Sequence, residues 1–299
     1  MPIASSLLLF VTARIVATEN PLDVIYACLI PRAACLSLLA VAVLLARTLV
    51  STAARRHAKL QRFGRKSLLI TSSSFLFVFS CLYRALNIAD EGAFLCRGPA
   101  SIYNMPAAGR AVATVGELAL VVQISGYLAD TARRLQVRRS LSIPYTLAPA
   151  IVAECCSWLG VVTGVSRFFC VEYLCWVGIA ALWAWDAAEL LHKSRSRVDA
   201  LVHAVLVAAS VGLVAFNFIH ELPHFFTATP LNSHDETPAR PTPFSCTQDA
   251  ESPIWLSRLP FFVTYFVGAS ACSTMLAVHY HFGSGRLRGV RSSLRFARS

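Results

Sequence analysis

"RAVATVGELALVVQISGYLADTARRLQVRR" (residues 110–139) decides the fold. From Ala111 to Ala129 it is almost wholly apolar, and it closes on Arg133, Arg134, Arg138 and Arg139. A helix of about twenty apolar residues crosses a hydrocarbon core of ~30 Å. Short cytoplasmic connections carry an excess of Lys and Arg, so the arginine-rich flank marks a cytoplasmic end. Within the block Arg110, Thr114 and Glu117 fall at i, i+4 and i+7, on one helix face. The stretch reads as a membrane span that enters from outside and carries a polar face.

The same pattern repeats on both sides. Apolar blocks at about 22–50, 67–89, 111–130, 144–165, 168–191, 199–222 and 255–281 give seven spans. Only 14% of the chain is charged and 56% is apolar, whereas a soluble domain carries roughly 25% charge. The period-2 alternation of barrel strands is absent. Every second connection is basic: Arg55, Arg56, Lys59, Arg62, Arg65 and Lys66; then the four arginines above; then Lys193, Arg195 and Arg197; then the tail. The expectation is an all-α integral membrane protein, a bundle of seven transmembrane helices with its N-terminus outside and its C-terminus in the cytoplasm. Residues 1–21 form an interfacial segment or a signal sequence ending at Ala17, 22–281 the membrane domain, and 282–299 a basic cytoplasmic tail. The net charge of +11 belongs to these flanks and lacks the interleaved aromatics of a nucleic-acid binder.

Of ten cysteines, eight lie in apolar blocks; Cys96 and Cys246 alone lie in polar loops, both on the outer side. An oxidising compartment there permits a disulfide between them, which would tie the long Pro-rich loop 223–253 over the mouth of the bundle.

Ionisable groups at membrane depth are costly and face a partner, a cavity or a pathway. Arg84 lies towards the outer end of span two, and Glu154 near the middle of span four with Ser157 and Trp158 on its face. Span five aligns Glu172, Trp176 and Trp183; span six carries His203, Ser210, Asn217 and His224 at intervals of seven. Structural ion pairs between helices would account for this pattern, and so would a solvated pocket in the outer half. Two arginines, Arg84 and Arg110, against Glu117, Glu154 and Glu172 leave one carboxylate in surplus, which a proton or cation would balance, most readily at the deepest, Glu154.

His220-Glu221-Leu222-Pro223-His224 spells the H-E-x-x-H pattern of zinc hydrolases. That chemistry needs an unbroken helical turn, and Pro223 inside it removes a helix hydrogen bond. Zinc at His220, Glu221 and His224 therefore stays as the alternative, and no cofactor is expected. Retinal is excluded because Lys59, Lys66 and Lys193, the only lysines, fall in the cytoplasmic connections. The G-protein-coupled receptor motifs are missing too: the ends of spans three and seven read "YLADTARRL" (127–135) and "FVGASACSTM" (266–275).

"GRAVATVGELALVVQ" (109–123), "AECCSWLGVVT" (153–163), Glu172 with Trp176, and Cys246 leading into "IWLSRLPFFVTYF" (254–266) together resemble an uncharacterised family of multi-pass membrane proteins with no assigned activity. The resemblance covers most of residues 67–281. It implies that Arg110, Glu117, Gln123, Glu154, Ser157, Trp158, Glu172 and Trp176 match the family's recurring positions, and His220, Glu221 and His224 do not.

The functional expectation is small-solute or ion transport, or ligand sensing, through a polar pocket, with the bilayer, a small solute, a cation or a proton as partners. One rival is a membrane-embedded, metal-dependent enzyme acting on lipid or peptide. Another is a structural protein that packs small residues such as Ala208, Gly212, Gly268 and Cys272 against a membrane partner or a second copy of itself.

Overall fold

The computed structural model describes residues 25, 29–53, 58–90, 95–96, 101–137, 143–194, 196–227, 243–248 and 254–282. The N-terminal segment 1–21, most of the Pro-rich loop 223–253 and the tail beyond 282 lie outside the described residues, as do Arg55, Arg56, Arg138, Arg139 and Arg195.

Seven helices in these residues are long and apolar enough to cross a membrane, as a multi-pass protein requires. They are α1 (Ile30–Ala53), α2 (Ala58–Leu86), α3 (Pro106–Arg134), α4 (Ile143–Thr163), α5 (Ser166–His192), α6 and α7. The last two are composite. α6 runs over Arg197–Phe216, widens into a π-helix at Asn217–Glu221 and ends as Leu222–Thr227. α7 begins as Ile254–Phe262, widens at Val263–Ala269 and continues as α-helix to residue 282.

Consecutive helices pack as neighbours from α1 to α6, and the widened part of α7 returns to α1 and α2. α3 runs through the middle. Trp183 of α5 donates to Ser125 of α3 at 3.0 Å, and Gln123 of α3 donates to the Ser273 carbonyl of α7 at 2.7 Å. Burial follows this arrangement. The most apolar windows of α2 and α3 are 61% and 56% buried but that of α1 only 22%, so α1 belongs to the perimeter. Leu36, Leu39, Leu201, Ile219 and Val162 point outward, as side chains solvated by lipid do.

Two glycines fix close geometry. A Cβ on Gly116 would stand 2.4 Å from the Ser80 Cβ, so only glycine lets α3 approach α2 there, and Ser80 donates to the Val112 carbonyl at 2.9 Å. Gly164, at φ +68°, closes the turn between α4 and α5 in the left-handed region that glycine tolerates.

The observed spans differ from the expected ones in places. The α4–α5 turn falls at residues 164–165 rather than 166–167. α6 does not stop at Pro223; it passes through it to Thr227. The widened turn ahead of Pro223, in which the Leu222 N–H reaches back to the Asn217 carbonyl, accommodates the residue that cannot donate. Pro260 likewise sits just before the second π-helical stretch. The structure is also not purely helical. Short strands β1 (Ala89–Asp90), β2 (Leu95–Cys96) and β3 (Thr247–Gln248) form a sheet, β1 antiparallel and β3 parallel to β2. Cys96 and Cys246 are joined there by a disulfide, with Cα atoms 5.7 Å apart.

Candidate functional site

Pro106 occupies the first turn of α3, where its missing N–H costs nothing. One turn later Arg110, 3% exposed, reaches into the bundle. Its Nη2 donates to Glu117 Oε2 at 2.7 Å and to Glu154 Oε2 at 2.9 Å; its Nη1 donates to Ser157 Oγ at 2.7 Å and to Glu172 Oε1 at 3.3 Å. One guanidinium thus binds α3 to α4 and α5. Thr114, a turn below Arg110, donates to Glu154 Oε2 at 2.6 Å and accepts from the Trp158 indole at 3.1 Å. Tyr265 of α7 donates to Glu117 Oε1 at 2.7 Å, and Arg84 of α2 lies 3.5 Å from the same oxygen with its guanidinium over the Tyr265 ring.

Five helices therefore meet at this cluster. The i, i+4, i+7 face of α3 and the Glu154 face of α4 converge as their spacing implied, and Glu172 joins from α5. Two carboxylates accept from one nitrogen, and three face two guanidiniums, so the cluster carries one surplus negative charge when all are ionised. Glu154 Oε1 is buried with no hydrogen-bond partner among the described residues.

A cavity of about 810 Å³ adjoins the cluster, lined from α2, α3, α5, α6 and α7. Arg84, Arg110, Glu117, Glu172, Asn217 and Arg258 line it together with Trp176, Trp183, Leu206, Phe261 and Met275, and apolar surface predominates. The pocket is less polar than the seams in the sequence suggested. Of the span-six seam, Ser210 and Asn217 reach the cavity. His203 instead lies within hydrogen-bond distance of Tyr127 (3.3 Å) and Ser194 (2.7 Å) at the opposite end, and His224 meets the edge of Phe225. Asn217 is 2% exposed, and its Nδ2 has no hydrogen-bond partner among the described residues. Gly212 and Gly268 also line the cavity, and nothing stands within 4 Å of a Cβ built on either.

Gln123 lies outside the cluster. It exchanges hydrogen bonds with Ser273, whose Oγ donates to Gln123 Oε1 at 2.6 Å and also meets Ser74, so this network joins α2, α3 and α7.

His220, Glu221 and His224 do not fit a zinc centre. His220 Nδ1 lies 3.0 Å from Glu221 Oε1 and its Nε2 3.0 Å from the Ser257 carbonyl, while Glu221 Oε2 accepts from Arg258 at 2.8 Å. The imidazole and carboxylate that a metal would need link α6 to α7. Among the described residues no three His, Cys, Asp or Glu side chains gather in a metal-holding group.

Sequence reasoning missed Tyr265 and Arg258. They sit seven residues apart on α7, but an aromatic-rich span hides a hydroxyl that reads as apolar. No family model, curated protein or solved structure matches the chain, so the resemblance noted in the sequence assigns nothing and the site is read from its own geometry.

Proposed function

We propose that this multi-pass membrane protein binds a small solute in the cavity beside the Arg110 cluster, in the service of transport or sensing. The observation that carries this reading is the convergence of one guanidinium and three carboxylates, from three helices, beside a cavity of about 810 Å³. A purely structural pair needs neither the third carboxylate nor the adjoining space. Pockets of roughly 300–1,000 Å³ with mostly apolar walls and a few convergent polar groups are the usual form of small-molecule sites.

The reading includes an orientation, with the cluster in the outer half, the N-terminus outside and residue 299 in the cytoplasm. It is supported by Lys66, Arg133, Arg134, Lys193 and Arg197, which all fall at one end of the bundle. Tags at residues 236 and 299 should be protected on opposite sides of the membrane; recovery on the same side breaks the seven-span count.

The test of the site compares Glu154→Gln with Glu154→Ala in purified protein, read as thermal unfolding against pH and added Na⁺ or K⁺. A ligand that binds only the folded state raises its stability. The Gln variant should fold with wild-type yield and lose the proton- or cation-dependent shift, because it keeps the shape and hydrogen-bonding capacity but not the charge. The Ala variant should lose folded yield as well. A well-folded Gln variant with the full wild-type response reduces the cluster to a structural network.

A further inference from the structure

We infer that the solute is an uncharged, apolar molecule carrying a carbonyl as hydrogen-bond acceptor, and that it enters the cavity sideways from the bilayer through a crevice between α6 and α7. This rests on the solute-binding reading and adds the class of solute and its route.

The route follows from how α6 and α7 meet. They are joined at both ends: at one, Glu221 accepts from Arg258 at 2.8 Å, and at the other His279 and Asp199 lie 2.8 Å apart. Between these ends the body of α6 and the widened part of α7 are not packed on one another as the other neighbouring helices are. Ala209 and Gly212 of α6 and Gly268 and Ala271 of α7 line the cavity there; all four are exposed, and a Cβ on either glycine meets nothing within 4 Å. Gly212 and Gly268 lie close to the middle of their spans, at the depth of hydrocarbon. A second cavity, of about 1010 Å³, continues along the same two helices and shares Val205, Ala271 and Met275 with the first. Leu36 and Leu201, two of the outward-pointing side chains, line it. The second cavity thus opens on surface that acyl chains solvate, and it adjoins the first.

The polar groups select the head. Arg84, Arg110 and Arg258 line the cavity with Glu117 and Glu172, and each guanidinium is already matched by a carboxylate: Arg110 by Glu117, Glu154 and Glu172, Arg84 by Glu117, and Arg258 by Glu221. A cationic or anionic head would have to displace one of these pairs, and to bring its charge through hydrocarbon first. Asn217 is different. It lines the cavity, it is 2% exposed, and its Nδ2 has no hydrogen-bond partner among the described residues. Its backbone N–H and carbonyl are both used within the helix, by Leu213 and Leu222. A buried donor without an acceptor is costly. A carbonyl oxygen supplies that acceptor, carries no charge across the bilayer and leaves the ion pairs as they stand. Trp176, Trp183 and Leu206 give the rest of the molecule an apolar wall.

The experiment uses purified protein in nanodiscs that contain a phosphatidylcholine with a benzophenone near the end of one acyl chain. The headgroup keeps this lipid at the membrane surface, so its benzophenone reaches the cavity only through the crevice. Photoadducts should map to buried lining residues such as Leu206 as well as to outward residues such as Leu39. Gly212→Leu, which places a side chain in open cavity space without a clash, should abolish the first set and keep the second in a monodisperse protein. Competition by molecules of one shape, 4-phenyl-2-butanone, butylbenzene, 4-phenylbutylamine and 4-phenylbutyrate, then identifies the head. Referred to concentration in the bilayer, the ketone should compete about tenfold more strongly than butylbenzene or either ion. Asn217→Leu should bring the ketone down to the level of butylbenzene. Adducts confined to outward residues, or cavity adducts unchanged in Gly212→Leu, overturn the route. An ion that competes as well as the ketone, or a ketone advantage that survives Asn217→Leu, overturns the head group. The solute-binding reading is judged separately by the Glu154 comparison, which uses neither probe nor competitor.

Discussion

Two of the buried polar networks among the described residues stand at opposite ends of the bundle, and they are built differently. At one end Asp130 of α3 accepts from Lys66 of α2, from Arg134 one turn on at 2.5 Å, and from Tyr280 of α7 at 2.8 Å. Beside it Tyr127 lies between His203 (3.3 Å) and His279 (3.1 Å), and His279 reaches Asp199 at 2.8 Å. Here one carboxylate has two cationic partners, Lys66 and Arg134 are part-exposed, and the network sits where the basic connections begin. At the Arg110 end the balance is reversed, with carboxylates outnumbering cations among the described residues, burial nearly complete, and polar atoms of Glu154 and Asn217 left without partners there. The first arrangement is held by more cations than carboxylates; in the second the excess runs the other way.

The comparison breaks most visibly at Arg110. Arg110→Ala leaves three carboxylates buried without their common partner, and removing one side of a buried ion pair costs about 3–5 kcal/mol. The variant should fail to give a monodisperse peak in detergent. Wild-type thermal stability in Arg110→Ala would mean that the Arg110 cluster is no more demanding than the Asp130 network.

A smaller effect is expected at the disulfide. Cys246→Ser should lower stability by about 2–4 kcal/mol, with the usual range for a lost native disulfide as the guide. Non-reducing peptide mapping should recover Cys96 linked to Cys246, and ready alkylation of Cys246 in unreduced protein would remove that link.

The smallest change sharpens the contrast. Tyr280→Phe deletes one hydroxyl that donates to Asp130, and a hydrogen bond to a charged group contributes about 1.5–3 kcal/mol. Stability should fall by no more than that, and the solute- or proton-dependent shift should stay intact. A lost shift would show that the two ends are coupled.

The seven spans and the convergence of Arg110, Glu117, Glu154 and Glu172 were legible because apolar length and 3.6-residue spacing are local properties. Face assignments failed where the helix stopped being regular. Each π-helical turn takes in an extra residue and rotates everything beyond it, so His220 and His224 could not be placed by counting from His203. Gln123 shares α3 with Glu117, yet its partner Ser273 lies on a helix whose phase is shifted by residues 263–269. The strand patch was hidden for another reason: two-residue strands carry no periodicity, and their pairing depends on contacts between segments 150 residues apart.

The bond between Cys96 and Cys246 joins the chain after α2 to the chain before α7, so α3 to α6 form a closed covalent ring and α1, α2 and α7 are its tails. Glu117, Glu154, Glu172 and Glu221 all belong to the ring, while Arg84 and Arg258 come from the tails. The acidic half of the site and two of its three guanidiniums thus sit on topologically different parts of one molecule. A single cut anywhere in the ring leaves every helix attached, and only a cut followed by reduction releases a fragment.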